Sequence, residues 1–566
     1  MKIGIYLGYP PCGKSFSLKK EGLGRYLAFL IKGFTKNNNE IVIACPRWVV
    51  DAVNELIEEE NISRELVKFL VPTDMPFIYK IYLKHIDKEV KFKNRRIWRL
   101  QKVTSCLIDR IIETLICTKN AVLFAAISIV LILLGVLTLP FTLIILLLLT
   151  IRKIIKALGR IFLKTQDEEK TTKDRMKKII KQNRVTRLVL NKIRQSLDTT
   201  MVKEKMRKSS AKEIINKINR MTEPMDVWYC PMAFWNEFNL INGTKVICVP
   251  DLVTTELPLN FTDSDYTVAT DNVKNTINNG TYFITYCEYL KTSLLINKFS
   301  KSHEDVIAIP HATNNMLEFI DVEGYFKDSA WRGDVNNYFC KNIIMPYITN
   351  NSINMVEYLT SQGIGNFSYK DIKYIFYSSQ VRPNKNILTL IKAYEYILRE
   401  KNIPIKLILT GNITLNKDIY DYIKDNRLQY DILSFYNVSN QQLAALYKQA
   451  ELVVNPTLYE GGFPFTFGEG MSVGTPSIMS DIPQVMEVIK GYDLEDCIFD
   501  PYDYKDLASK IIYGLNHREE IYLKQKILYE KLEKRSWEDI CKDYQKAFEY
   551  FITKDKKNIV NGVNTK

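Results

Sequence analysis

Short apolar runs punctuate most of the chain, each followed by a polar loop and then an amphipathic stretch. Lys2–Leu7 is the first and predicts a strand. A loop carrying Gly8, Gly13, Gly22 and Gly24 follows, then a helix through Arg25–Ile31 and a strand over Glu40–Cys45. The alternation resumes near Met225, with strands predicted at Val227–Cys230, Val246–Val249, Tyr282–Thr285 and Val306–Ile309. A second series opens at Tyr374–Tyr377. It continues through a helix at Ile387–Ile397, a strand at Lys406–Gly411, a helix at Gln441–Ala450, a buried strand at Glu451–Val454 and a last unit at Ile498–Pro501. Strand–helix repetition of this kind implies parallel sheets with ligands at the strand C-termini. One long charged helix is predicted from Glu519 to Tyr550, followed by a polar, disordered Lys/Asn tail.

Between residues 79 and 221 the pattern breaks. Ala121–Thr150 is an uncharged apolar run; as one straight helix it would extend roughly 45 Å, against roughly 30 Å of bilayer hydrocarbon. Gly135 and Pro140 interrupt it near its middle. A single crossing would put Lys2–Leu7 on the opposite face from every later strand. Arg110 and Lys119 before the run, and Arg152, Lys153, Lys156 and Arg160 after it, assign both flanks to the cytoplasm. The expectation is a re-entrant hairpin over 121–150, turning near Leu139-Pro140; one long tilted span is the alternative. Basic helices over 152–221 are expected to lie on the surface.

Charge sharpens this picture. The net charge is +14, and residues 151–220 hold 22 Lys/Arg against 7 Asp/Glu, which accounts for the whole excess. A basic block directly after the most apolar segment points to an anionic membrane surface and away from nucleic acid. The 10 cysteines show no CxxC pairing, so neither a zinc site nor a disulfide framework is indicated. Met1–Leu7 has too short an apolar run for a signal peptide, and reduced, cytosolic thiols are expected.

The richest chemistry lies in Asn455–Pro476. Two glycines, Gly461 and Gly462, free backbone amides before a helix that starts near Thr466, a natural seat for a phosphate. Glu460 and Glu469 bracket that seat, which suits a ligand with hydroxyls beside its phosphates. Gly474-Thr475-Pro476 closes the helix.

Taken together, Tyr459–Met471, Val473–Pro476, the loop Gln380–Asn386, Phe499-Asp500-Pro501 and Arg535-Ser536-Trp537 resemble the retaining glycosyltransferases of the GT-B fold, family 4. The resemblance covers roughly residues 1–60 and 225–550. It implies two Rossmann-like α/β domains facing a cleft. The N-terminal one would be split into 1–78 and 222–330 (the acceptor side) by a membrane-associated insertion over 79–221. A nucleotide-sugar domain would follow over 331–530, then a helix and tail over 531–566. It also implies site roles. Glu469 would bind ribose hydroxyls, Glu460 would contact the transferred sugar, and Gly461, Gly462 and Phe463 would support it. Arg382 and Lys385 would hold the diphosphate, whose charge grows as the glycosidic bond breaks, with neither metal nor cofactor. Gly22, Gly24 and Arg25 look like the family's N-domain phosphate or acceptor loop. Eight residues separate the glutamates where the family has seven, and Pro250-Asp251 replaces its histidine–aspartate pair. Asp251 is therefore a candidate active-site carboxylate, and His311 a candidate on the acceptor side.

The implied activity is sugar transfer from a nucleotide-diphosphate sugar to a lipid-linked or surface-glycan acceptor, as in polysaccharide biosynthesis, on the cytoplasmic face of the cell membrane. Two other classes compete. Gly8–Ser15 satisfies the pattern of a phosphate-binding P-loop, which would mean a nucleoside triphosphatase or kinase, although Ser17–Gly22 reads as loop where such a site needs a helix. A non-catalytic membrane scaffold is the second, and the presence of both glutamates and both cations weighs against it. Asp263-Ser264-Asp265 reads as a solvated loop.

Overall fold

The computed structural model describes residues 1–11, 18, 22–77, 79, 80, 114, 118, 120–130, 199–261, 264–320, 373–436 and 438–560. Two compact units are present. One comprises Met1–Ala28, Asn38–Met225 and Leu240–Gly243; the other comprises Phe29–Asn37, Asp226–Asn239 and Thr244–Lys566.

In the first unit, β1 (Lys2–Tyr6), β2 (Glu40–Ala44) and β3 (Val67–Leu70) run parallel in the order β3-β2-β1, with Ile3 opposite Ile41 and Ile43 opposite Phe69. The helix Thr199–Ile218 packs here, burying Met206, Ala211, Ile214, Ile215 and Ile218. Its Glu213 carboxylate accepts hydrogen bonds from the Thr73 amide at 2.6 Å and the Thr73 hydroxyl at 2.8 Å. This corrects the expectation of a surface-lying basic helix. The lysines of 199–218 sit around an apolar stripe at helical spacing, and the stripe decides where the helix goes. Gly22 and Gly24 open the helix Gly22–Lys36 where a loop was expected, and Arg25 is helical as expected. Two glycines weaken a helix without forbidding its first turn.

Among the described residues no helix is long and apolar enough to cross a membrane. Of the predicted hairpin, 121–130 is helical, with Val122, Leu123, Ile129 and Val130 exposed, and 131–150 lies outside the described residues. The basic stretch 152–198, the P-loop-like Cys12–Ser15 and Asp263 also lie outside them. Ser264 begins a helix, Ser264–Asn279.

The second unit holds β4 (Val227–Cys230), β5 (Lys245–Val249), β6 (Tyr282–Thr285) and β7 (Val306–Ala308), parallel in that order. It also holds a six-stranded parallel sheet in the order β10-β9-β8-β11-β12-β13, with β8 at Tyr374–Tyr377, β9 at Lys406–Leu409, β10 at Ile432–Ser434, β11 at Leu452–Asn455, β12 at Ser477–Ser480 and β13 at Ile498–Phe499. Successive side chains of a strand alternate between faces, and here both faces are covered. Ile375, Tyr377, Leu407, Leu409, Leu452 and Val454 join one core, while Tyr374, Phe376, Ile408, Leu433 and Val453 join the other. Each fully buried Leu, Ile or Val contributes about 1.5–3 kcal/mol of hydrophobic stabilisation.

The predicted long C-terminal helix is two helices, Arg518–Leu532 and Trp537–Val560. The break has a local cause. Ser536 Oγ accepts from the Asp539 amide while Asp539 Oδ2 accepts from the Ser536 amide, a reciprocal cap that starts a new helix. That last helix returns to the strands near the start of the unit. Trp537 stacks on Phe29 at 4.5 Å, Tyr544 meets Tyr229 edge-on at 5.6 Å, and Phe551 stacks on Tyr282 at 4.7 Å.

Candidate active site

The candidate residues of the second unit follow the C-terminal ends of four parallel strands. Loops after β8 and β11 supply Arg382, Lys385 and Glu460; loops after β5 and β7 supply Asp251 and His311.

The loop after β8 is held by its own asparagines. Asn384 is buried; its side chain donates to the Tyr459 carbonyl at 3.1 Å, and its carbonyl accepts from the Leu458 amide at 2.8 Å. Asn386 takes a left-handed conformation, φ 53°, and donates to the Pro501 carbonyl at 2.7 Å. Between these anchors, Lys385 Nζ donates to Glu460 Oε1 at 2.5 Å, and both side chains are about one-fifth exposed (19% and 21%). An ammonium has three N–H donors, so two remain free of that contact. Arg382 is exposed at the loop's outer edge.

The glycine loop runs hard against the turn after β5. A Cβ added at Gly461 would lie 2.0 Å from the Pro250 carbonyl oxygen and 3.4 Å from Asp251 Cβ. The Tyr459 hydroxyl accepts from the Leu252 amide at 3.0 Å and pins the same turn. Asp251 is thereby brought to Glu460. Asp251 is exposed, and desolvation by the protein packed around it raises its pKa above the ordinary 3.8. The Val253 amide, Arg382 and Lys385 pull the other way, and the Glu460 charge adds to the rise. The structure thus gathers Asp251, Arg382, Lys385 and Glu460 into one electrostatic cluster.

His311 closes the other side of the loop. Its ring stacks on Phe465 at 3.9 Å, and a Cβ at Gly462 would lie 3.3 Å from Nε2. Burial lowers its pKa from 6.5, opposed by the carbonyls of Ala312 and Phe463 and by Glu460. Phe463 packs edge-on against Phe467 at 5.1 Å. The motif helix, Phe465–Ser472, has Pro464 before it and no side-chain cap; the Phe467 amide donates to the Pro464 carbonyl at 3.2 Å, and no capping side chain claims the amides before it. Glu469 lies on this helix and is 6% exposed. Gly22, Gly24 and Arg25 belong to the first unit.

Several working residues carried no sequence signal. Tyr447 donates to Glu469 Oε2 at 2.7 Å, and Asn314 donates to Oε1 at 3.0 Å. Glu487 accepts from the amides of Glu288 and Tyr289, each at 2.9 Å, at the start of the π-helical turn Leu290–Ile296. Asn384 belongs to the loop Gln380–Asn386, yet its anchoring role could not be read from the loop alone. Among the described residues no three His, Cys, Asp or Glu side chains gather as metal ligands would. The positive charge these residues offer an anion is that of Arg382, Lys385 and the helix amides.

Comparison with known proteins bears on this cluster. Residues 365–534 match the Glycosyl transferases group 1 family model. The matched region contains Arg382, Lys385, Glu460 and Glu469 but neither Asp251 nor His311. An uncharacterized glycosyltransferase of Methanocaldococcus jannaschii is 29% identical over 180 residues, 31% of this chain and 44% of that protein. The O-antigen chain mannosyltransferase B of Escherichia coli is 28% identical over 144 residues, 25% of this chain and 36% of that protein. The chain thus spans less than half the length of these curated relatives. Among solved structures, Anabaena HepE in complex with UDP and glucose aligns over 97% of this chain and 99% of its own, at 10% identity and a TM-score of 0.49.

Proposed function

We propose that the protein is a glycosyltransferase of the GT-B, family 4 type. It moves a sugar from a nucleoside-diphosphate sugar to an acceptor hydroxyl, with retention of configuration and without a metal. The observation that carries this reading is the cluster of Asp251, Arg382, Lys385 and Glu460 beside the uncapped motif helix, three of its four members lying in the group 1 region. As the glycosidic bond breaks, negative charge grows on the leaving diphosphate. Arg382, the free N–H groups of Lys385 and the helix amides stabilise it in place, which lowers the barrier. Glu460, held by Lys385, orients the transferred sugar. Asp251, with its raised pKa, suits exchange of the acceptor proton.

On this reading the acceptor is a lipid-linked saccharide or a growing surface glycan at the cytoplasmic face of an anionic membrane, where residues 121–150 embed. Support comes from the apolar run and the basic block after it. The Escherichia coli relative, named for an O-antigen chain, adds to it.

The test is protection of the full-length protein from thermal unfolding by UDP, GDP and their sugars, since a ligand at 100 times its Kd stabilises by about 2.7 kcal/mol. The protecting sugar nucleotide is then supplied with membrane extract, the anomeric configuration of the product is read by NMR, and the rate is compared with and without EDTA. Protection by no nucleotide overturns the reading. Inversion or a rate abolished by EDTA overturns the mechanism, and a form lacking 121–150 that processes the native acceptor equally well overturns the membrane assignment.

A further inference from the structure

The helical segment after β6 begins at Glu288 and Tyr289, and its first amides need an acceptor. Serine, threonine, aspartate or asparagine ordinarily fills the place before them. Here that place holds Cys287, a weak acceptor, whose thiol donates to the Gly461 carbonyl at 3.5 Å. The strong cap comes from the other sheet of the unit. Glu487 lies 199 positions away, on the helix Pro483–Ile489 that follows β12. Its Oε1 accepts from the Glu288 amide and its Oε2 from the Tyr289 amide, each at 2.9 Å. Val485 and Ile489 of the same helix are buried in the core against the β8–β13 sheet, so Glu487 stands on a fixed base. A carboxylate there satisfies two donors and complements the helix dipole.

Three side chains of the capped stretch reach the candidate site. Tyr286 meets His311 edge-on at 6.0 Å, and its Cβ would lie 3.2 Å from a Cβ at Gly462. Cys287 reaches the Gly461 carbonyl. Tyr289 donates through its hydroxyl to Glu256 Oε2 at 3.1 Å, and Glu256 ends the short helix Val253–Glu256 just after Asp251. Lys298 holds the other oxygen of Glu256 at 3.0 Å. The glycine loop, His311 and the Asp251 turn are thus all linked to residues 286–289, and one carboxylate caps that stretch from the β8–β13 side.

We propose that Glu487 is a positioning residue for sugar transfer. Its cap fixes residues 286–289, and through them the glycine loop, His311 and the Asp251 turn keep their register with Glu460. The effect on transfer rests on the donor assignment proposed above; the mechanical link does not. Arg382, Lys385 and Glu469 belong to the β8–β13 side. Loss of the cap therefore spoils the alignment of the two sides and leaves nucleotide binding in place.

The experiment compares the full-length protein with Glu487→Ala, Glu487→Gln, Tyr289→Phe and the Glu487→Ala/Tyr289→Phe double variant. Amide hydrogen exchange, read by mass spectrometry, comes first. Glu487→Ala is expected to speed exchange about tenfold at 286–296 and also, by several-fold, at 250–256 and 458–464. Steady-state transfer follows, with the donor found by thermal protection. Since misplacement by about 1 Å can cost about 10²-fold, kcat is expected to fall about 30-fold. Donor KM and nucleotide Kd should stay within about threefold of the parent. Glu487→Gln keeps an acceptor for one amide and should lose about fivefold in kcat. Tyr289→Phe cuts the link to Glu256 alone and should lose about threefold, adding nothing in the double variant because both act through one segment. Should Glu487→Ala fail to fold, Glu487→Gln and Tyr289→Phe carry the same comparisons. If faster exchange stops at 286–296, or kcat, KM and Kd all worsen together with the melting temperature, Glu487 is only a helix cap and the proposal fails. Retention of full kcat in Glu487→Ala also overturns it while leaving the donor assignment standing. A parent that transfers no sugar from any donor overturns that assignment and with it the role in transfer, and the spread of exchange then decides the link alone.

Discussion

Replacing Gly461 by alanine tests the site at its tightest joint. The added Cβ would sit 2.0 Å from the Pro250 carbonyl oxygen, against about 3.4 Å for an ordinary contact. The clash is with main chain, so no rotamer change relieves it, and either the glycine loop or the turn before Asp251 must move by about 1.4 Å. Either movement changes where Asp251 sits relative to the glycine loop and Glu460. Misplacing reacting groups by about 1 Å can cost 10²-fold in rate, so kcat for sugar transfer is expected to fall about 100-fold. Overpacking of this kind costs about 1–3 kcal/mol of stability, so a melting shift of several degrees accompanies the loss without unfolding the protein. Gly462→Ala is the internal control. Its Cβ would meet Tyr286 Cβ at 3.2 Å and His311 Nε2 at 3.3 Å, contacts that give by a few tenths of an ångström. A loss of less than tenfold is expected. The assay is steady-state transfer from the donor found by thermal protection. If Gly461→Ala retains more than one-third of parent kcat, the 250–251 turn has no part in the chemistry.

Other predictions follow from the same cluster. Lys385→Met should destabilise by about 1–2 kcal/mol in urea, discounted from the cost for a fully buried pair because both groups are partly exposed; a Lys385→Met/Glu460→Gln double mutant that shows no coupling would deny the ion pair. Asp251 holds its proton more tightly folded than unfolded, so the stability this gives is complete below the unfolded pKa and lost as pH rises through the folded value. Asp251→Asn should therefore melt higher than the parent near pH 7, with the gain shrinking toward about pH 4; a lower melting temperature at pH 7 contradicts the sign. Burial raises the pKa of all six described cysteines, Cys45, Cys287 and Cys541 to about 12. Of the 10 thiols, then, no more than four should react with a thiol reagent before denaturation. Glu469→Ala should abolish transfer while Lys14→Ala leaves it intact; the opposite pair of results favours the P-loop reading.

The strands that were legible were those whose apolar runs are self-contained, such as Tyr282–Thr285 and Tyr374–Tyr377, which the structure reproduces residue for residue. Val67–Leu70, Ile432–Ser434 and Ser477–Ser480 escaped notice because each is short or carries polar residues, and only its neighbours make it a strand. Charge misled in one place, where the lysines of 199–218 hid a buried stripe. The site divides along similar lines. Glu460, Glu469, Arg382 and Lys385 stand in compact motifs that can be read directly. Asn314 and Tyr447 lie 155 and 22 positions from the carboxylate they serve, and nothing local in either stretch reports the meeting.

That separation decides where the molecule can be cut. The match to the group 1 family model begins at residue 365, and a chimera designed on it would graft 365–534 onto another scaffold. Such a graft keeps Tyr447 and leaves Asn314, Thr313 and Met316 behind, stripping Glu469 of one donor and the motif helix of the strap across its Gly468. The transplantable piece starts upstream, near Ala312, so the boundary that homology draws and the boundary that the carboxylate requires differ by about fifty residues.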